Sequence, residues 1–162
     1  MAKRDTVEKA SSNGRLVDSM TSARLADSWE ATAGQQLLVL IQEWNQVSTN
    51  ITRLREQANL RRLFTKGARR PVRREAQKEA AELEEKAAPL LDNLEVITWR
   101  IVDVLTESPG ARNSTNNWRL MVRPLRAMVA TGLKSRGIDL AEMIQDIDRQ
   151  ELASEAEEAP ED

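Results

Sequence analysis

The chain reads as an all-α protein: a long antiparallel helical hairpin, or coiled-coil arm, with C-terminal helices packing at its base as a small four-helix bundle. Three observations predict this. Charged residues make up 31% of the sequence and aromatics 3%, with 6 Gly and 5 Pro, a composition of helices rather than sheets. Apolar residues recur in alternating steps of three and four along two long segments, the mark of a heptad seam. A short connection joins the two segments, which makes them antiparallel neighbours.

Residues 1–26 are mixed and polar. Ser11, Ser12, Asn13 and Gly14 interrupt any regular pattern, although Leu16, Val17, Met20 and Ala23 form one short helical stripe. A flexible N-terminal segment is expected there. The first helix is predicted to start near Asp27 or Ser28, where a capping side chain precedes Glu30, and to reach about Leu63. Its seam is Leu37, Leu40, Trp44, Val47, Ile51, Leu54 and Ala58. Gly67 marks the reversal, and Pro71 sits in the first turn of the second helix, where a missing N–H is harmless. The second seam is Ala76, Ala80, Leu83, Ala87, Leu90, Leu94, Ile97, Ile101 and Val104, with Pro89 a possible kink, and Ser108, Pro109 and Gly110 end it. A turn centred on Gly67 predicts Ile51 near Glu84 and Trp44 near Leu91.

Near the open end of the hairpin the apolar surface is wider than a seam. Leu37 to Ile41 is a continuous apolar run, and Leu91, Trp99, Val102 and Leu105 flank the second seam, so further helices must cover them. One is expected from about Asn117 to Thr131, with Trp118, Met121, Val122, Leu125, Met128 and Val129 inward and Pro124 bending or dividing it. Another is expected from about Leu140 to Leu152, with Met143, Ile144 and Ile147 inward and Asp139 as its cap. Towards Gly67 the seam narrows, which predicts an arm of ~20 Å at 1.5 Å per residue. The chain therefore divides into a flexible segment 1–26, a hairpin 27–107 with its basic tip near 61–74, a C-terminal helical pair 108–150 and an acidic disordered tail 151–162.

The sequence contains no His, Cys or Tyr, which removes the commonest proton shuttle, the thiol nucleophile and the favoured zinc ligands. No phosphate-cradling glycine loop or nucleotide fingerprint is present. Acids such as Glu79, Glu82, Glu84 and Glu85 read as solvated helix faces rather than a metal site. The expectation is a non-enzymatic protein without a cofactor. No apolar run approaches the ~18 residues of a membrane span, and Met1 to Met20 holds no signal-like segment, so a cytoplasmic protein with no membrane partner is expected.

Charge carries the functional reading. Between Gln57 and Arg74 stand Arg61, Arg62, Lys66, Arg69, Arg70, Arg73 and Arg74 with no acid among them. Arg61, Arg62 and Lys66 close a helix, where cations complement the macrodipole. Arg69, Arg70, Arg73 and Arg74 open one, where each cation costs ~0.3–1 kcal/mol. Four guanidinium forks placed against the dipole suit an anion, either phosphate or acidic protein surface; the plain alternative is a solvated tip kept for solubility. From Ser108 to Ile138 a second acid-free stretch carries Arg119, Arg123 and Arg126 at helical spacing, expected on a face away from Trp118 and Leu125 as a basic stripe. Its plain alternative is ion pairing with Glu79, Glu82, Glu84, Glu85 or Glu95. Base stacking by Trp118 beside Arg119 is a further option.

Residues 151–162 hold Glu151, Glu155, Glu157, Glu158, Glu161 and Asp162 and no base, so the formal charge would pass from -2 to +4 without them. Such a tail either stays solvated or shields the basic surface. The leading expectation is a helical subunit that binds the phosphate backbone of DNA or RNA with little sequence preference, within a larger assembly, with protein partners or self-association. The alternative is an adaptor or structural assembly subunit, for example of a phage or multisubunit machine, whose basic arm docks on acidic protein.

Overall fold

The computed structural model describes the backbone of residues 2–159 and the side chains of residues 32–159. The chain is all-α. A first helix, α1 (Ala2–Phe64), turns back into α2 (Arg70–Glu107), and the short α3 (Pro109–Asn113) and α4 (Thr115–Leu120) lead into α5 (Arg123–Ser135) and α6 (Ala141–Glu158).

Helix α1 begins at Ala2 rather than near Asp27. Gly14 and the serines before it lower helix propensity by ~1 kcal/mol or less each, and no proline interrupts the chain before Pro71. The stripe at Leu16, Val17, Met20 and Ala23, the capping side chains of Asp27 and Ser28, and Trp29 lie outside the described side chains. So does the question of a flexible segment 1–26.

Both seams are built as the spacing predicts. On α1, Leu37, Trp44, Ile51 and Ala58 are buried, joined by Ala33 and Ile41. On α2, Ala76, Ala80, Ala87, Ile97 and Ile101 are buried. The core proper joins Leu37, Ile41, Trp44, Ile97, Ile101, Val102 and Leu105 to Trp118, Met121, Leu125, Val129 and Leu133, and to Ile144 and Ile147 of α6. It stops near Val47 and Leu94. Beyond that point the hairpin is an arm whose α2 seam is mostly alanine. A buried Leu or Ile contributes about 1.5–3 kcal/mol and an alanine methyl about 0.8, so the arm is held more weakly per turn than the bundle.

Buried polar pairing fixes the register. Trp44 Nε1 donates to Thr98 Oγ1 at 3.1 Å, and Thr98 Oγ1 donates on to the Leu94 carbonyl at 2.8 Å. Further out, Arg61 pairs with Glu79, and Arg62 Nη1 lies 2.7 Å from Glu84 Oε1. Trp44 therefore faces Thr98, about two turns from the expected Leu91. The reversal at Thr65–Arg69 is not symmetric about Gly67, and the first turns of α2 continue past these ties towards the apex.

Helix α2 passes through Pro89 and ends at Glu107, where Ser108 Oγ accepts from Ala111 N at 3.4 Å and caps α3. Pro124 divides the expected third helix. Met121 and Val122 are extended, and α5 restarts with Pro124 in its first turn. The restart resets the helical phase. Val122 and Met128, expected inward, are exposed, and the inward face of α5 is Leu125, Arg126, Val129, Gly132 and Leu133. Gly132 lies within α5. Gly137 ends the helix with φ 82°: its N–H donates to Lys134 O and the Ile138 N–H to Leu133 O, both at 3.0 Å. Asp139 Oδ1 then accepts from Ala141 N at 3.0 Å to start α6. That helix runs on to Glu158, so residues 151–158 are helical rather than a disordered tail; Pro160 to Asp162 lie outside the described residues. Among the described residues no helix is long and apolar enough to cross a membrane.

Candidate functional site

The two basic clusters seen in the sequence have opposite fates. Arg119 on α4 and Arg123 and Arg126 on α5 all reach α6. Arg119 Nη2 donates to Gln150 Oε1 at 3.1 Å. Arg123 lies 3.7 Å from Glu151 and 3.6 Å from Glu155. Arg126 is 2% exposed and grips Glu151 with two hydrogen bonds, Nη1 to Oε1 at 3.0 Å and Nη2 to Oε2 at 2.6 Å. Its Nη2 is also 3.1 Å from Asp148 Oδ1, without hydrogen-bond geometry, and Arg126 Nε has no partner.

Arg126 is thus on the buried face beside Leu125 and not on an open stripe. The acids that pair with Arg123 and Arg126 are Asp148, Glu151 and Glu155 of α6, not those of α2. This bidentate pairing raises the Arg126 pKa and lowers that of Glu151, in both cases chiefly through the hydrogen bonds between them. Trp118 is fully buried and its Nε1 donates to Arg112 O at 2.7 Å, which excludes base stacking.

At the tip, Arg61 and Arg62 are tied across the hairpin to Glu79 and Glu84. The Arg62 hydrogen bond is the main cause that lowers the Glu84 pKa, and its counterpart raises that of Arg62. Lys66, Arg69, Arg70, Arg73 and Arg74 lie beyond these ties, all exposed, and none has an ion pair among the described residues. Arg69 occupies the N-cap position of α2 with extended backbone and offers no capping oxygen, and the first turn of α2 holds no acid. Local structure therefore gives these cations no stabilising partner, and each opposes its neighbours and the helix dipole.

The apex also carries apolar side chains that the sequence reading overlooked. Phe64 is 84% exposed, Leu63 65%, and Leu60 and Val72 about half. A signal for them exists. Continuing the α1 seam from Leu54 and Ala58 in steps of three and four lands on Arg61 and Thr65, so Leu60, Leu63 and Phe64 fall off the seam and must face outward.

At the bundle end, Leu91, Leu94, Trp99, Val102, Met128 and Gly132 line a largely apolar groove of about 590 Å³ between α2 and α5. The Arg136 guanidinium lies 5.5 Å from the centre of the Trp99 ring and pairs with Asp103 at 2.5 Å. Comparison with protein families, with curated proteins and with solved structures finds no match for this chain.

Proposed function

We propose that this chain is a non-enzymatic helical subunit that holds nucleic acid by its phosphate backbone through the apex of the arm, in the cytoplasm and within a larger assembly. One observation carries the reading: among the described residues Lys66, Arg69, Arg70, Arg73 and Arg74 are exposed and without an ion pair beyond the last cross-hairpin ties, while Arg123 and Arg126 of the other basic cluster pair with acids of α6. Guanidinium forks free of intramolecular partners are matched by phosphate oxygens, which accept bidentate hydrogen bonds at any base sequence. Arg119, Arg123 and Arg126 leave the proposed interface, because binding through them would require breaking their contacts to α6.

The test is fluorescence anisotropy with labelled DNA and RNA of random sequence. The wild type binds all of them at low salt, Arg69→Ala/Arg70→Ala/Arg73→Ala/Arg74→Ala binds them all more weakly, and Arg119→Ala binds as the wild type does. Undiminished binding by the fourfold variant contradicts the reading.

A second reading, an adaptor or assembly subunit whose arm docks on acidic protein, is favoured by the apolar surface left open on the bundle. Trp99 and Met128 border the α2–α5 groove, and Leu38 and Val39 of α1 and Val96 of α2 are also exposed. An adaptor prefers one protein, whereas the nucleic-acid reading requires binding to any strand of sufficient length.

A further inference from the structure

The apex combines unpaired cations with an exposed aromatic ring, and the two do not serve the same partner unless that partner offers charge and an apolar face side by side. Phe64 is 84% exposed at the end of α1, next in sequence to Leu63; Lys66 and Arg69 follow within the reversal and Arg70 opens α2. Its neighbour Thr65 is half-buried and donates its hydroxyl back to the Arg61 carbonyl of α1 at 2.8 Å. The other described aromatics differ: Trp44 and Trp118 are buried, and the exposed Trp99 ring lies under Arg136, a cation already paired with Asp103. Among the described residues Phe64 is therefore the aromatic face that is both open and set beside unpaired cations.

A duplex presents phosphates on its outside and keeps its base faces stacked within, so it leaves the Phe64 ring without a counterpart. A single strand alternates phosphates with unstacked base faces, and proteins that bind such strands combine a cationic track with aromatic platforms. We infer that the arm apex is a single-strand site, with Lys66, Arg69, Arg70, Arg73 and Arg74 on successive phosphates and the Phe64 ring stacked on a base. This rests on the reading of the arm as a nucleic-acid contact and narrows its ligand class.

The experiment titrates the full chain against three labelled probes: an oligothymidylate, an abasic strand of the same length and phosphate number, and a duplex. Wild type binds the oligothymidylate most tightly. Phe64→Ala, a change at an exposed position that leaves helix content by circular dichroism unaltered, weakens oligothymidylate binding by about 5- to 150-fold and leaves the abasic strand and duplex unaffected. Equal binding of duplex and oligothymidylate, with Phe64→Ala neutral on both, overturns the inference while the backbone-binding function stands. Absence of binding to all three probes at low salt overturns both.

Discussion

Arg126 and Glu151 form a bidentate ion pair that joins α5 to α6, with the guanidinium 2% exposed and the carboxylate partly open to water. Removing one partner of a buried pair costs about 3–5 kcal/mol, because the other charge is left stranded, whereas an apolar replacement of similar volume is often nearly neutral. The two sides of this pair are unequal. Glu151→Ala strands a buried cation with only Asp148 in reach and is expected to destabilise by about 3 kcal/mol. Arg126→Met leaves Glu151 free to hydrate, fills the same space, and is expected to stay within about 1.5 kcal/mol of wild type. Urea denaturation followed by circular dichroism measures both, and the reverse order would contradict the account.

The same pair makes stability depend on acidity. The Arg126 hydrogen bonds hold the Glu151 carboxyl below the usual glutamate range in the folded state, so unfolding is accompanied by proton uptake once pH drops into that range. This contribution is complete above the unfolded glutamate pKa and is lost as pH falls through the lower folded value. The thermal midpoint should therefore be flat near neutrality and decline in acid. Glu151→Gln, with no charge to lose, should show a shallower decline, measured by thermal melts across an acid series.

Trp44 and Thr98 set the hairpin register, and their coupling is measurable. Thr98→Val leaves a buried indole N–H without an acceptor, at a cost of about 1–3 kcal/mol. Trp44→Phe combined with Thr98→Val removes both polar atoms, so the double variant should be less destabilised than the two single changes added together. Strict additivity in a double-mutant cycle would show that the hydrogen bond does not hold the register.

Gly132 marks a close approach of α5 to α2. A Cβ built there falls 2.7 Å from Val102 Cγ2, and Val102 is itself buried. The gain in helix propensity from Gly to Ala is about 1 kcal/mol, while overpacking a tight contact costs about 1–3 kcal/mol, so Gly132→Ala should destabilise on balance. Gly34, inside α1 with open space around it, is the control: Gly34→Ala should stabilise by about 0.4–1 kcal/mol. Chemical denaturation of both variants distinguishes crowding from propensity.

These sites also show where sequence reasoning reaches its limit. The seams at Leu37, Trp44 and Ile51 and at Ala80, Ile97 and Ile101 were legible because heptad periodicity is a local property of one helix. Pro124 was legible because it acts on its own backbone. Register was not: it is set by contacts such as Trp44 to Thr98, between residues far apart in sequence, and it differs by about two turns from a symmetric reversal at Gly67. Arg126 was misplaced because Pro124 resets the helical phase, bringing Arg126 into the face where Met128 was expected. Glu151 and Glu155 of α6 looked like part of an unstructured tail because composition alone carries no sign of the arginines that bind them. The cation cluster at Arg69 to Arg74 was visible as charge, and the exposed Phe64 beside it could have been found by extending the seam.

The most direct test of apex binding is the salt dependence of affinity for a single strand, comparing wild type with Arg69→Ala/Arg70→Ala/Arg73→Ala/Arg74→Ala. Each phosphate contact contributes about 0.7 to the slope of log affinity against log salt on a single strand, so the variant's slope should be shallower by about 3. Parallel slopes for the two proteins would place the phosphate contacts elsewhere and contradict the assignment of the arm apex as the binding site.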